Sequence, residues 1–158
     1  MRHALKWEVG KGGHMEGYED TSSSRARSSM DATRRSARIL LIDDDPVFRA
    51  VMVRLAQAEG IDVEAYDSVL EVEPFSRIQS YDGAIFDYHL GQQDGLDLGR
   101  CLKPFFSAVP TLLVSGDDSV GEVMKKSAEC PFKEFISKRL GCMKIIERMK
   151  DLLKSKLQ

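Results

Sequence analysis

From Arg38 onward the chain alternates between two hydrophobic periods. "RILLID" (38–43) is a continuous apolar run, the pattern of a strand covered on both faces. In "DPVFRAVMVRLAQAEG", Phe48, Val51, Met52 and Leu55 recur at helical spacing, and Gly60 ends the helix they define. "IDVEAY" (61–66) alternates as a half-buried strand, and "SVLEVEPFSRIQ" predicts a short helix that Pro74 interrupts or bends. "DGAIFDY" (82–88) is a third strand, followed by a helix in "GLDLGRCLKPFF" that Pro104 weakens. "VPTLLVS" (109–115) is a fourth strand, "SVGEVMKKSAE" a fourth helix and "FKEFIS" (132–137) a fifth strand. Met143, Ile145, Ile146, Met149, Leu152 and Leu153 form the stripe of a last helix.

This alternation predicts a (βα)5 domain of the α/β class: a doubly wound, five-stranded parallel sheet with helices on both faces. Ligands of such sheets bind outside the carboxyl ends of the strands. Those ends carry Asp43 and Asp44, then Asp87, then Ser115 and Gly116, then Lys138. Three carboxylates, a hydroxyl and an ammonium are therefore expected on one edge.

The run Asp43-Asp44-Asp45 raises a charge problem. Two unit charges 4 Å apart repel by about 1 kcal/mol in water and about 4 kcal/mol when half buried. Asp45 precedes Pro46, the arrangement of a helix N-cap followed by proline in the first turn. Asp43 and Asp44 need another explanation, and a shared hard cation such as Mg²⁺ would cancel their repulsion. Taken singly, each residue has a plainer reading: solvated loop aspartates, a surface lysine, a strand-end hydroxyl. Their convergence is what makes a site of them.

Composition narrows the class. The 158 residues are 42% hydrophobic and 30% charged, as in soluble globular proteins. A net charge of -2 gives no electrostatic case for nucleic-acid binding. Cys101, Cys130 and Cys142 lack C-x-x-C spacing, which argues against a disulfide framework or zinc site and for a reducing cytoplasm. No apolar stretch is long enough to span a membrane, and no secretory signal core is present. Residues 1–36, rich in Gly and Ser and without apolar periodicity, are expected to be a disordered tail ahead of a single domain at 37–158. Met15 and Met30 are alternative starts within that tail, where His3 and His14 have no expected role.

Four segments, in order, resemble the receiver domains of two-component response regulators. "ILLIDDDP" is similar to the acidic motif after strand 1, and "YDGAIFDYHLGQQDGLDL" to the segment around the phosphoaccepting aspartate. "PTLLVSG" resembles the strand with its hydroxyl residue and following small residue, and "FKEFISK" the strand ending in the family's lysine. The resemblance covers residues 38 to about 156 and implies a flavodoxin-like, single-domain receiver of the chemotaxis-regulator type. It implies that Asp87 takes a phosphoryl group from a phosphohistidine, on a histidine kinase or phosphotransfer protein. It implies Mg²⁺ on Asp44, Asp87 and the backbone carbonyl of His89, with Asp43 acting through a water. It gives Lys138, Ser115 and the Gly116 N–H the phosphoryl oxygens. Ser115 and Phe135 become the switch, acting on an unknown downstream protein through the face of the fourth helix, fifth strand and fifth helix. A monomer or weak dimer in the cytoplasm, with no nucleic-acid or membrane partner, completes the expectation.

Two positions depart from the family pattern. Arg139 stands where a cis-bonded proline usually follows the lysine, so a trans bond and a different turn are expected. Gly91 stands where proline is common, so a looser loop after Asp87 is expected. Two other functions stay open at this point. One is a haloacid-dehalogenase-like phosphatase or phosphotransferase using the formal D-x-D of Asp43-Asp44-Asp45, although the chain leaves no room for a cap domain. The other is a degenerate receiver that binds a partner without phosphorylation. No G-x-G-x-x-G follows the first strand, which argues against a dinucleotide enzyme.

Overall fold

Continuous apolar runs become central strands because both of their faces are covered. In the computed structural model, which describes residues 35–106 and 108–155, five parallel strands form one sheet. They are β1 (Ala37–Ile42), β2 (Ile61–Tyr66), β3 (Gly83–Asp87), β6 (Thr111–Ser115) and β7 (Glu134–Ser137), in the order β2-β1-β3-β6-β7. Ile39 and Leu41 point to one face, where helices α1 (Pro46–Ala58) and α4 (Cys142–Ser155) lay Met52, Ala56, Ile145, Ile146 and Met149 over them. Leu40 and Ile42 point to the other, beneath α2 (Gly95–Phe106) and α3 (Val120–Lys126). Burying each such aliphatic side chain contributes about 1.5–3 kcal/mol, so the alternation within β1 holds both layers.

Three expectations change in detail. "SVLEVEPFSRIQ" forms no α-helix; it makes two 3₁₀ turns, Val69–Val72 and Phe75–Ser80. Pro74 lacks a donor and holds Glu73 extended at φ −63°, ψ 141°, leaving each piece too short for α-helical bonding. The turns still bury Val69, Val72 and Ile78, so they fill the place of a covering helix. In α1 the buried row is Met52 and Ala56, while Val51 faces solvent. The fourth helix stops at Lys126, where extended Ser127 accepts a hydrogen bond from Arg100 Nη2 of α2 at 2.8 Å.

A Glu64-centred cluster ties the 3₁₀ region to the edge of the sheet. Its carboxylate accepts from Tyr81 Oη at 2.6 Å, Arg77 Nη2 at 2.9 Å and Tyr66 Oη at 3.2 Å, and it also pairs with Arg38. Tyr81 is buried, and the Arg38 guanidinium lies over its ring. The expected tail falls on residues 1–34, outside the described residues, apart from its last two positions. Among the described residues, no helix is long and apolar enough to cross a membrane.

Candidate functional site

Strand register brings the polar residues together. Ile42 pairs with Phe86, so Asp43 and Asp87 leave adjacent strands side by side. Asp87 pairs with Val114 and Ser115 with Ser137, which places Ser115 and Lys138 on the other flank of Asp87. The sheet reverses its winding between β1 and β3, the place where open α/β sheets form a ligand crevice.

Asp43 is fully buried and Asp87 nearly so, whereas Asp44 is exposed. One carboxylate oxygen from each of the three falls within 4.8 Å of the others. Lys138 Nζ lies 2.7 Å from Asp43 Oδ2 and 2.9 Å from Asp87 Oδ2, with the Phe48 ring 4.4 Å away. Burial disfavours the Lys138 charge, but its contacts with Asp43 and Asp87 outweigh that and hold its pKa above the ordinary lysine value. Burial raises the Asp43 carboxyl, and Lys138 offsets this only in part. Asp43 Oδ2 contacts Lys138 as a charge partner but has no aligned hydrogen-bond donor.

Three carboxylates converging in this way fit a hard divalent cation, for which carboxylate oxygen is the preferred ligand. Among the described residues, Asp43, Asp44 and Asp87 are the side chains grouped closely enough to hold it. Asp45, by contrast, is spent on the fold. Its Oδ1 accepts from Val47 N at 2.8 Å and Phe48 N at 3.3 Å, as an N-cap should.

The loops around these side chains are pinned. Arg49 reaches back one turn along α1 to donate to the Asp43 carbonyl at 2.6 Å. Gly91 has φ +62°, which proline cannot adopt, and its N–H donates to Asp44 Oδ2 at 3.3 Å. The loop after Asp87 is thus tied to the acidic cluster, contrary to the expected loosening. His89 is exposed in a short hairpin of β4 (His89–Leu90) and β5 (Gln93–Asp94). Gly95 opens α2 against the backbone of Asp87, where a Cβ would fall 2.3 Å from the Asp87 carbonyl oxygen.

On the opposite side, Ser115 is buried and its Oγ accepts from Asp117 N at 3.0 Å, while Gly116 is exposed. The Lys138–Arg139 bond is trans, and a 3₁₀ turn over Lys138–Leu140 still delivers the ammonium to both aspartates. Phe135 is half buried against Gly121, with its Cδ1 2.9 Å from the place of a Gly121 Cβ. Sequence reasoning missed Arg49, the close approach of Gly95 and the reach of Arg139. For Arg49, the available signal was its place in the first turn of α1, where side chains lean toward the N-terminus.

A doubly wound parallel sheet with a buried acidic pair, a third aspartate and a shared lysine at its crevice defines an α/β domain with a charged ligand site at its topological switch point. A family model of the response regulator receiver domain matches residues 39–150, and the chain belongs to that family. The regulatory protein VirG of Rhizobium rhizogenes is 29% identical over 121 residues, covering 75% of this chain and 48% of VirG. The response regulator MprA of Mycobacterium ulcerans is 28% identical over 120 residues, covering 75% of this chain and 51% of MprA. The chain thus spans about half the length of these relatives. A CheY-like receiver domain protein from Methanospirillum hungatei has the same fold, with a TM-score of 0.65 and 23% identity over 77% of this chain and 96% of that one. Family membership displaces the haloacid-dehalogenase-like reading, and the use of Asp45 as a helix cap agrees with that.

Proposed function

We propose that this chain is a receiver that accepts a phosphoryl group on Asp87 and signals through the resulting change of shape. The observation that carries the reading is the single Lys138 ammonium between buried Asp43 and Asp87. An Asp87 carboxylate oxygen would attack the phosphorus of a phosphohistidine. The P–N bond breaks as the O–P bond forms, and the imidazole leaves with its electron pair and takes up a proton. Lys138 neutralises charge on the phosphoryl oxygens, and the Ser115 hydroxyl and Gly116 N–H donate to them. Asp44, Asp87 and the His89 carbonyl would hold Mg²⁺, with Asp43 acting through a water. When bound, the cation would supply further neutralisation of the transferring group.

The donor is a histidine kinase or phosphotransfer protein, and the target is a second protein. The chemistry is limited to self-phosphorylation and loss of the group to water, in the cytoplasm, with residues 37–158 sufficient for it. The phosphorylated Asp87 side chain carries about −1.5 to −2 charges in place of the carboxylate's −1, and its added acceptor oxygens draw Ser115 inward, so the half-buried Phe135 ring can follow into the space beside β7. The α3–β7–α4 face would then differ between the two states. Incubation with acetyl phosphate and Mg²⁺, read by intact mass, should add one phosphoryl group to the wild type. Failure to acquire it would leave the phosphorylation-independent binding module.

A further inference from the structure

Arg139 occupies the position where the family pattern has proline, and its side chain does something proline cannot. Its Nε donates to the Gly116 carbonyl at 3.0 Å, and its Nη1 lies 3.6 Å from Asp118 Oδ2. The peptide unit between Gly116 and Asp117 is thereby held at both ends. Its C=O accepts from Arg139, and its N–H donates to Ser115 Oγ at 3.0 Å. A serine hydroxyl that accepts a bond still has its own proton to donate. With one lone pair engaged by Asp117 N, the Ser115 proton is restricted to the remaining directions, and the Gly116 backbone is fixed beside it.

We infer that Arg139 is a positioning residue: through the Gly116–Asp117 peptide it orients the Ser115 hydroxyl and Gly116 N–H that receive the phosphoryl oxygens. The inference rests on the proposed phosphoryl acceptance at Asp87. The contact with Asp118 is an exposed charge pair of little energetic weight, so the directional bond from Nε carries the role.

Glutamine separates the bond from the charge, because its Nε2 occupies the place of the arginine Nε while the guanidinium is lost. The experiment titrates beryllofluoride, a phosphoryl mimic, into the full chain at saturating Mg²⁺, and separately titrates Mg²⁺ alone. Arg139→Met should bind beryllofluoride about fivefold more weakly, the size of one hydrogen bond, with its Mg²⁺ affinity unchanged. Arg139→Gln and Asp118→Ala should stay within about twofold of wild type, since each keeps a donor to the Gly116 carbonyl. Rescue by Arg139→Lys but not by Arg139→Gln would overturn the inference in favour of a general charge effect. So would unchanged beryllofluoride affinity in Arg139→Met, or a parallel loss of Mg²⁺ affinity. A wild-type chain that neither binds beryllofluoride nor accepts phosphate would remove the phosphoacceptor reading itself. Normal wild-type binding with unaffected variants would remove only the role of Arg139.

Discussion

The Gly95 α-carbon stands so close to Asp87 that a Cβ there would fall 2.3 Å from the Asp87 carbonyl oxygen and 2.9 Å from Tyr88 Cα. The start of α2 and the end of β3 are therefore packed backbone to backbone, with Gly95 N also donating to the Tyr88 carbonyl at 2.7 Å. Gly95→Ala should cost about 1–3 kcal/mol of stability, the usual range for overpacking, and displace Asp87. Thermal melting and phosphoryl yield should fall together in this variant. Wild-type values for both would show that the backbones separate freely.

Asp87→Asn should abolish phosphoryl incorporation from acetyl phosphate while the fold persists, because the amide is nearly isosteric but is not a carboxylate nucleophile. Lys138→Ala should also depress the yield, since two buried carboxylates would lose their shared cation. Intact mass after incubation, with a melting curve on each variant, checks both outcomes. A phosphorylated Asp87→Asn chain would move the acceptor elsewhere.

Adjacent aspartates should behave differently. Asp44→Asn should weaken Mg²⁺ binding strongly. Asp45→Ala should leave the metal affinity alone and cost about 1 kcal/mol of stability, as a lost N-cap does. Calorimetric Mg²⁺ titration beside urea denaturation separates the two, and equal metal defects would contradict the division of roles.

Glu64 should contribute a pH-dependent term to stability. The Tyr81 hydroxyl, with Arg38 and Tyr66, holds its carboxyl down at about 2, against an ordinary value of 4.5. A depressed folded-state pKa stabilises above the unfolded value and is lost as pH falls from about 4.5 through 2. After allowance for solvent screening, the term is about 1–2 kcal/mol. Glu64→Gln should flatten the stability curve across that window, and denaturation at pH 6, 4 and about 2.5 reads it. A wild-type curve with no slope there would dissociate the cluster from folding.

Phe135 and Gly121 should report the switch. A Gly121 Cβ would meet the Phe135 ring at 2.9 Å, so Gly121→Ala should push the ring from its place and change the response to beryllofluoride with Mg²⁺. In the wild type, NMR shifts should extend from the loops around Asp87 to Phe135 and α3. Shifts confined to those loops would rule out this route.

The alternation of five strands with covering segments and the gathering of Asp43, Asp87, Ser115 and Lys138 at one edge were legible in the sequence. Apolar runs and helical stripes are local patterns, and parallel strands with right-handed crossovers leave few ways to connect them. Asp45 was legible too, because a cap acts on its own next turn. Other features were decided between segments distant in the chain. Val51 has helical spacing from its apolar neighbours, but packing against the sheet selected Met52 and Ala56. The segment around Pro74 reads as helix by composition; bonds from Arg38, Tyr66 and Tyr81 to Glu64 help hold this part of the sheet edge beside two short turns. Arg139 reads as a missing proline, and only the fold shows its bond to a carbonyl 23 residues earlier. Local periodicity determines which elements form and which face is apolar, because backbone geometry repeats along the chain. Hydrogen bonds between loops depend on where two elements meet, and only tertiary structure decides that.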